Sequence, residues 1–254
     1  MATAEDHLLA RRLATQAGEL LLEIRKSHPD PGSRRQALKD AGDAGAQAFL
    51  AAELRRAAPD DAVLSEEAVD SAVRLGADRV WIIDPVDGTR EFGEPPRDDW
   101  AVHVALWERA VEEVTVGAVA LPALGLTLAT DDPPSLPPRR DAPPRIVVSR
   151  TRPPRQAQQV ADAIGAELIG MGSAGAKAMA VVRGLAELYV HSGGQHEWDS
   201  AAPVAVARAA GLHTSRIDGS PLRYNARDPY LPDLIIARPE YAAAALSAIN
   251  GRIG

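Results

Sequence analysis

The chain has 254 residues, a net charge of −7, 46% hydrophobic and 25% charged residues, an ordinary balance for one large folded unit or two closely packed halves. The acidic balance argues against a polymeric nucleic acid as partner, since a phosphate backbone is repelled without a sizeable basic patch, and the cluster Arg139, Arg140 and Arg145 is too small to hold a duplex. With no cysteine, a disulfide framework, a thiolate zinc site and a thiol nucleophile are excluded.

The N-terminus carries acids early and no apolar segment, and no run of about 18 apolar residues follows, so the expectation is a cytoplasmic chain with no membrane segment. Leu8, Leu9, Leu13, Ala17, Leu20, Leu21 and Ile24 recur at helical spacing and predict a helix over 4–26. His28-Pro29-Asp30-Pro31-Gly32 is expected to stop it. A second helix is expected from about Ala41 to Ala57, with Ala46, Phe49, Leu50 and Leu54 on one face. Strands follow at 62–65, 79–83, 100–107, 114–121 and 124–130, and their proximity suggests antiparallel pairing. The stretch 131–144 has six prolines in fourteen residues and reads as an extended linker. Beyond it strands near 146–148, 167–169, 187–190 and 234–237 alternate with helices near 154–164, 174–183, from Asp199 and from Glu240, which suggests an α/β layer. The expected organisation is a first half over 1–130 carrying the antiparallel sheet, a linker over 131–144, and an α/β half over 145–254.

Four acidic positions stand where a strand ends or a helix begins. Glu66, with Glu67, follows the first strand; Asp84 follows Val80-Trp81-Ile82-Ile83; Asp87 lies in Asp84-Pro85-Val86-Asp87-Gly88-Thr89; and Asp199 opens a helix after Trp198. Strand ends are where α/β folds place their sites. A turn stiffened by Pro85 would let Asp84 and Asp87 converge with the Val86 carbonyl on the same side, and the N–H groups of Gly88 and Thr89 could cradle a phosphate. Oxygen-only ligands suit Mg²⁺ better than zinc. Taken singly, each element has a plainer reading: a solvated Glu-Glu pair, Asp-Pro and Asp-Gly turns, a helix N-cap at Asp199. The order and spacing of the set favour the site.

At these residues the sequence resembles the inositol monophosphatase superfamily of metal-dependent, lithium-sensitive phosphatases. Trp81-Ile82-Ile83-Asp84-Pro85-Val86-Asp87-Gly88-Thr89 is similar to its first motif, Trp198-Asp199-Ser200-Ala201-Ala202 to its second, and Glu66-Glu67 to the upstream pair. Leu64-Ser65-Glu66-Glu67, Gly88-Thr89-Arg90-Glu91-Phe92 and Gly219-Ser220-Pro221-Leu222-Arg223-Tyr224 resemble the CysQ branch, the 3'-phosphoadenosine 5'-phosphate (PAP) phosphatases. The resemblance implies a layered α-β-α-β-α sandwich and a site with two or three Mg²⁺ ions held by Glu66, Asp84, the Val86 carbonyl, Asp87 and Asp199. It implies that Thr89 and Glu66 orient and deprotonate the attacking water, that Asp43 supports Thr89, and that Gly88, Thr89, Lys177 and Asp199 meet the substrate. It further implies a small phosphate ester, PAP, as substrate, with inositol monophosphate or fructose 1,6-bisphosphate as alternatives, and a homodimer as a common assembly. A non-catalytic metal- or nucleotide-binding protein on the same fold would be expected to have lost a ligand or the threonine.

The sequence departs from that family before Asp43, where Leu38-Lys39-Asp40-Ala41-Gly42 replaces a Pro-Val-Thr run, and at Ser173-Ala174-Gly175-Ala176-Lys177. His103 alternates within a strand, His213 follows a helix end at Gly211, and His196 lies near the second motif with surface placement and substrate contact both open. Arg90, Glu91, Arg97, Asp98 and Asp99 read as a salt-bridged loop or a lid.

Overall fold

In the computed structural model the described residues are 1–28, 35–139 and 141–251. Helix α1 (Ala4–Lys26) starts at a reciprocal cap: the Thr3 hydroxyl accepts the Asp6 N–H while Asp6 accepts the Thr3 N–H. Its buried stripe is Ala10, Leu13, Ala14, Ala17 and Leu21, the spacing of one helix face. It ends at Lys26 with Ser27 as cap; Pro29–Gly32, expected to stop it, lie outside the described residues, as does Arg140. Helix α2 (Arg35–Ala57) begins six residues before the expected Ala41. The added turns contain Gln36, Ala37, Leu38 and Lys39, all good helix formers, and Leu38 is fully buried.

Strands β1 (Ala62–Ser65), β2 (Arg79–Asp87), β3 (Ala101–Glu108), β4 (Glu113–Leu121) and β5 (Leu126–Ala129) form one sheet in chain order. The antiparallel expectation fails at one place. β1 and β2 are parallel, with Ala62 to Ser65 opposite Val80 to Ile83, and residues 66–78, including a 3₁₀ turn at Ala72–Gly76, supply the long return that parallel pairing needs. The short helix α3 (Thr89–Phe92) follows β2 and had no separate signal in the sequence.

The stretch 131–144 carries no helix or extended strand among its described residues. Then come β6 (Arg145–Ser149), α4 (Arg155–Ile164), β7 (Glu167–Met171), α5 (Ala174–Val182), β8 (Leu188–Ser192), α6 (Ala201–Ala209), β9 (His213–Ser215), β10 (Asp233–Ala237) and α7 (Pro239–Ile249). The second sheet has the order β7-β6-β8-β10-β9, parallel through β7, β6 and β8 and antiparallel beyond. β9 was not foreseen: three residues give no period to read. Gly211, at φ +83, turns the chain after α6, and His213 follows it, as expected, and opens β9.

Five layers result. α1 and α2 cover one face of the first sheet, α5 and α6 fill the space between the sheets, and α4 and α7 cover the outer face of the second. Each face has its own apolar cluster, so successive residues of β2 alternate between clusters: Trp81 and Ile83 face α1 and α2, Val80 and Ile82 face α5 and α6. A sheet covered on both faces explains why β2 and β3 read as unbroken apolar runs. No helix among the described residues is long and apolar enough to cross a membrane.

Candidate active site

The site grows out of the end of β2. The sequence suggested that the strand stops at Ile83 and turns at Pro85, but β2 runs through to Asp87. Asp84 pairs with His103 and Asp87 with Ala101, so β2 spends one residue more than β3 over this stretch. Residues three apart on a regular strand point to opposite faces. The extra residue is a β-bulge, and it brings both carboxylates to the face between the sheets. Pro85 has no N–H to lose from the ladder there, and Asp84 Oδ1 accepts the Val86 N–H at 3.1 Å. At Gly88 the backbone enters the left-handed region, φ +85, and a Cβ there would lie 3.0 Å from Ser173 Cβ. Only glycine satisfies both demands, and it lets α3 start immediately at Thr89.

Asp84, Asp87 and Asp199 each offer a carboxylate oxygen within 4.8 Å of the others. The three are brought together from β2 and from the loop before α6. Asp199 does not open that helix: Ser200 occupies the cap position and α6 starts at Ala201. Instead Asp199 Oδ2 accepts the His196 N–H at 2.7 Å, which anchors the loop under the cluster. Glu66 lies outside that group of three, at its rim: the residue as a whole is exposed, but its carboxyl turns inward against Asp84 and is largely removed from water.

Such crowding has electrostatic consequences. Burial, then the charges of Asp199, Asp87 and Glu67, push Glu66 up to about 7. Burial and Asp87 push Asp199 to about 7, and burial with Glu66 and Asp87 holds Asp84 well above the usual carboxylate range. Asp87 goes the other way. Burial alone would raise it, but His103, the Ser173 hydroxyl and the Gly175 N–H outweigh burial and bring it to about 2. Its Oδ2 accepts Ser173 Oγ and Gly175 N at 2.5 Å and its Oδ1 accepts Ala174 N at 3.0 Å, so it sits as an anion on the N-terminus of α5.

His103 is the residue that sequence reasoning missed. It is fully buried; Nδ1 faces the Trp198 carbonyl at 3.0 Å and Nε2 lies 3.1 Å from Asp87 Oδ2, at ion-pair distance though outside hydrogen-bond alignment. It thereby spans the first and second motifs. Burial opposes its charge, but Asp87, the Trp198 carbonyl and Asp199 prevail and raise its pKa. The one signal was a lone histidine on the inward face of an apolar strand, which is ordinary. A Cβ on Gly175 would come within 2.1 Å of His103 Nε2, so the glycine that departs from the family run is the one that makes room for this ring.

Thr89 Oγ1 lies 3.1 Å from the Val86 carbonyl and 3.5 Å from Asp43 Oδ1, so Asp43 on α2 does face the threonine. Burial, Glu67 and Asp40 raise Asp43 to about 6 against the Thr89 hydrogen bond. Neighbouring Gly42 is explained by packing: a Cβ there would meet the Phe92 ring at 2.5 Å. Lys177 is buried, and its Nζ donates to the carbonyls of Gly172 and Ser173 at 3.0 and 2.6 Å. It holds up the loop before α5, and burial lowers its pKa. His196 stacks on Trp198 at 4.6 Å. Of the loop after β2, Arg97 and Asp99 are paired with each other and Glu91 with Arg150.

The donor set fits a hard divalent cation. All the donors are oxygens, and Asp84 Oδ2 is buried without any hydrogen-bond donor while Glu66 presses against it. Two carboxylates so placed need either a shared proton or a cation between them.

Comparison with known proteins agrees. The inositol monophosphatase family model matches residues 5–132 and 142–250. The chain is 52% identical over 255 residues to the 3'-phosphoadenosine 5'-phosphate phosphatase of Mycobacterium leprae, covering 96% of this chain and 93% of that protein. It is 31% identical over 202 residues to the 3'(2'),5'-bisphosphate nucleotidase CysQ of Escherichia coli K12, covering 75% and 81%. Among solved structures, CysQ from Bacteroides thetaiotaomicron superposes with a TM-score of 0.77 at 27% identity over 92% of this chain and 97% of that one. Inositol monophosphatase II of Staphylococcus aureus shares the fold at a TM-score of 0.81 and 16% identity, over 98% and 97%. With the motifs, the layered architecture and these likenesses together, the chain belongs to the inositol monophosphatase family.

Proposed function

We propose that this protein is a magnesium-dependent phosphomonoesterase that hydrolyses 3'-phosphoadenosine 5'-phosphate to AMP and phosphate. The observation that carries the chemistry is the buried cluster of Asp84, Asp87 and Asp199 with its donor-free Asp84 oxygen. The substrate follows from likeness to the mycobacterial PAP phosphatases and the CysQ nucleotidases. Glu66, Asp84, the Val86 carbonyl, Asp87 and Asp199 would hold two or three ions, and an all-oxygen set favours Mg²⁺. Bound there, the ions supply charge neutralisation for the phosphoryl oxygens and acidity for a water.

The chain's own residues do the rest. Asp84 and Asp87 are fixed in direction by the bulge and by the α5 N-terminus, so the cluster is organised before substrate arrives. When the Thr89 hydroxyl donates its hydrogen bond to Asp43, the lone pairs of Thr89 Oγ1 are free to accept a hydrogen bond from the attacking water and orient it, and the water's proton passes to the Glu66 carboxylate. Asp43, raised to about 6, is mostly ionised at neutral pH and so can accept the Thr89 hydroxyl's hydrogen bond there. The N–H groups of Gly88 and Thr89 at the head of α3 orient the phosphoryl group, and Lys177 contributes by holding the Gly172–Ser173 backbone in place. Phosphate release measured with Mg²⁺ on PAP, inositol 1-phosphate and fructose 1,6-bisphosphate tests the assignment. A kcat/KM for PAP at least about tenfold higher, or about 1.4 kcal/mol in the transition state, is expected; equal or reversed rates would overturn it.

A further inference from the structure

The connection from β1 to β2 begins at Glu66 and is thinly packed. Glu66 to Val73 are eight consecutive exposed residues. Val69 and Val73 are 98% and 77% exposed, so the apolar side chains of this run do not anchor it. Its far end is tied down separately, where the Leu75 and Ala77 carbonyls accept the Arg109 guanidinium at 2.7 and 2.8 Å. Within 66–78 the one buried residue is an arginine, Arg74, 1% exposed. A guanidinium leaves water only where its donors are met.

Arg74 is met from two sides. Inside the connection it forks onto Asp70, Nε donating to Oδ1 at 2.7 Å and Nη2 to Oδ2 at 2.9 Å. Across the fold its Nη1 donates to Asn225 Oδ1 at 2.8 Å, and Asn225 Nδ2 donates back to the Arg74 carbonyl at 3.4 Å. The chain of bonds continues inward. The N–H groups of Asn225 and Ala226 donate to the two carboxylate oxygens of buried Glu197, at 2.6 and 2.8 Å. The Glu197 carbonyl accepts the N–H groups of Ser200 and Ala201, so Glu197 brackets Asp199. A continuous set of hydrogen bonds thus runs from the segment that carries Glu66 to the segment that carries Asp199.

We infer that Arg74 and Asn225 form a latch between these two segments, and that Arg74 is a positioning residue which sets Glu66 against Asp199. The inference rests on the reading of both acids as cation ligands. The ionised carboxylates of the cluster repel Glu66 until a cation arrives, so the backbone that carries it has to hold it in place. On the β1 side that backbone is fixed at Ser65, whose hydroxyl donates to Gln47 Oε1 at 2.7 Å. On the other side it is fixed through Asp70, Arg74 and Asn225. Opening the latch lets Glu66 move away from Asp199, while Asp84 and Asp87 stay where β2 holds them.

Two variants test the latch. Asn225 lies in the left-handed region, φ +61, so Asn225→Gly keeps the backbone and both N–H groups for Glu197 and removes only the side chain that meets Arg74. Arg74→Lys keeps the charge and the stem but loses the planar fork. Calorimetric binding of Mg²⁺ without substrate reads the position of Glu66. The rate of trypsin cleavage at the Arg74–Leu75 bond, followed by mass spectrometry without metal, reads the latch itself, because residue 74 must leave its buried place to be cut. The expected result in each variant is a Kd for Mg²⁺ raised roughly tenfold, the scale on which residues behind metal ligands act, together with faster cleavage at residue 74. A merely structural role would lower Tm and leave Kd unchanged, and an unchanged Kd or an unchanged cleavage rate in Asn225→Gly overturns the inference. If the unsubstituted protein binds no Mg²⁺, the cation reading falls and cleavage decides the latch by itself: faster cutting in Asn225→Gly upholds it, equal cutting overturns it.

Discussion

The acidic cluster and the basic recess beside it, about 300 Å³ and lined by Arg90, Arg150, Arg152 and Lys177, share Ser173 yet are built on different plans. In the cluster every carboxylate is located by something rigid: Asp84 and Asp87 by a bulge in a central strand, Asp87 again by three donors around the start of α5, Asp199 by the His196 N–H. In the recess Arg90 and Arg152 stand exposed on a short helix and a loop, and among the described residues neither guanidinium meets a carboxylate or carbonyl acceptor. Chemistry that must position charge within a fraction of an ångström is placed on rigid elements, whereas recognition of a charged group tolerates longer, mobile side chains whose order is gained on binding. The first plan makes the cluster sensitive to small packing changes, and the second lets the recess side chains vary without disturbing the fold.

That contrast is broken most severely by Asp84→Asn. The substitution keeps shape but removes charge from the donor-free oxygen at the centre of the cluster, and turnover should fall by roughly 10³-fold or more, the scale of losing a main electrostatic contact in the transition state. Retention of a tenth of the rate in a Mg²⁺-dependent phosphate-release assay would mean that Asp84 is peripheral. Gly175→Ala should come next. Its new Cβ would fall 2.1 Å from His103 Nε2 and 3.1 Å from Asp87 Oδ2, and misplacement on this scale costs roughly 10²-fold in rate. Combining it with His103→Ala should return part of the lost thermal stability, and strict additivity of the two changes in melting would show that the ring and the glycine are not coupled. The smallest effect belongs to the recess wall. Arg150→Gln breaks an ion pair with half-buried Glu94 and one with buried Glu91 and should lower stability by about 1–3 kcal/mol, the cost of a buried carboxylate left without its donor; an unchanged midpoint in denaturant unfolding would show that the recess wall is not braced by these pairs.

The same contrast explains what the sequence disclosed. Asp84, Asp87, Gly88, Thr89 and Asp199 were legible because rigid placement leaves local marks: an apolar strand, a proline, a glycine required for positive φ, a tryptophan before a helix. The layered fold was legible from the alternation of strand and helix and from resemblance. Three things were not. The bulge at Asp84–Asp87 depends on pairing with β3, which no local pattern of β2 encodes. His103 becomes meaningful only when that register sets it opposite Asp84 and packing brings Trp198 and α5 against it. The recess joins Arg90 to Arg152 across the two halves of the chain, and a pair so distant in sequence carries no periodic signal. For Lys177 the motif gave the position, and the structure adds what no local pattern encodes, that its buried Nζ donates to the Gly172 and Ser173 carbonyls.

Protonation links the cluster to stability. Glu66 and Asp199 have folded-state values raised to about 7, above the unfolded value of about 4. The native chain without metal therefore holds protons that the unfolded chain has lost, and the stability contributed by these two groups is present below pH 4 and lost as pH rises towards 7. Asp87, lowered to about 2, acts oppositely and matters only in acid. A cation must displace the protons on Glu66 and Asp199, so it binds more tightly as pH rises through 7 and then replaces the stability that deprotonation removed. Thermal unfolding with and without Mg²⁺ at pH 8 and pH 5.5 is the most direct measurement. Cation binding at the Asp84, Asp87 and Asp199 cluster predicts a rise in Tm on adding Mg²⁺ at pH 8, a markedly smaller rise at pH 5.5, and loss of the shift in Asp84→Asn; an unchanged Tm at pH 8, or an equal shift in the variant, would contradict it.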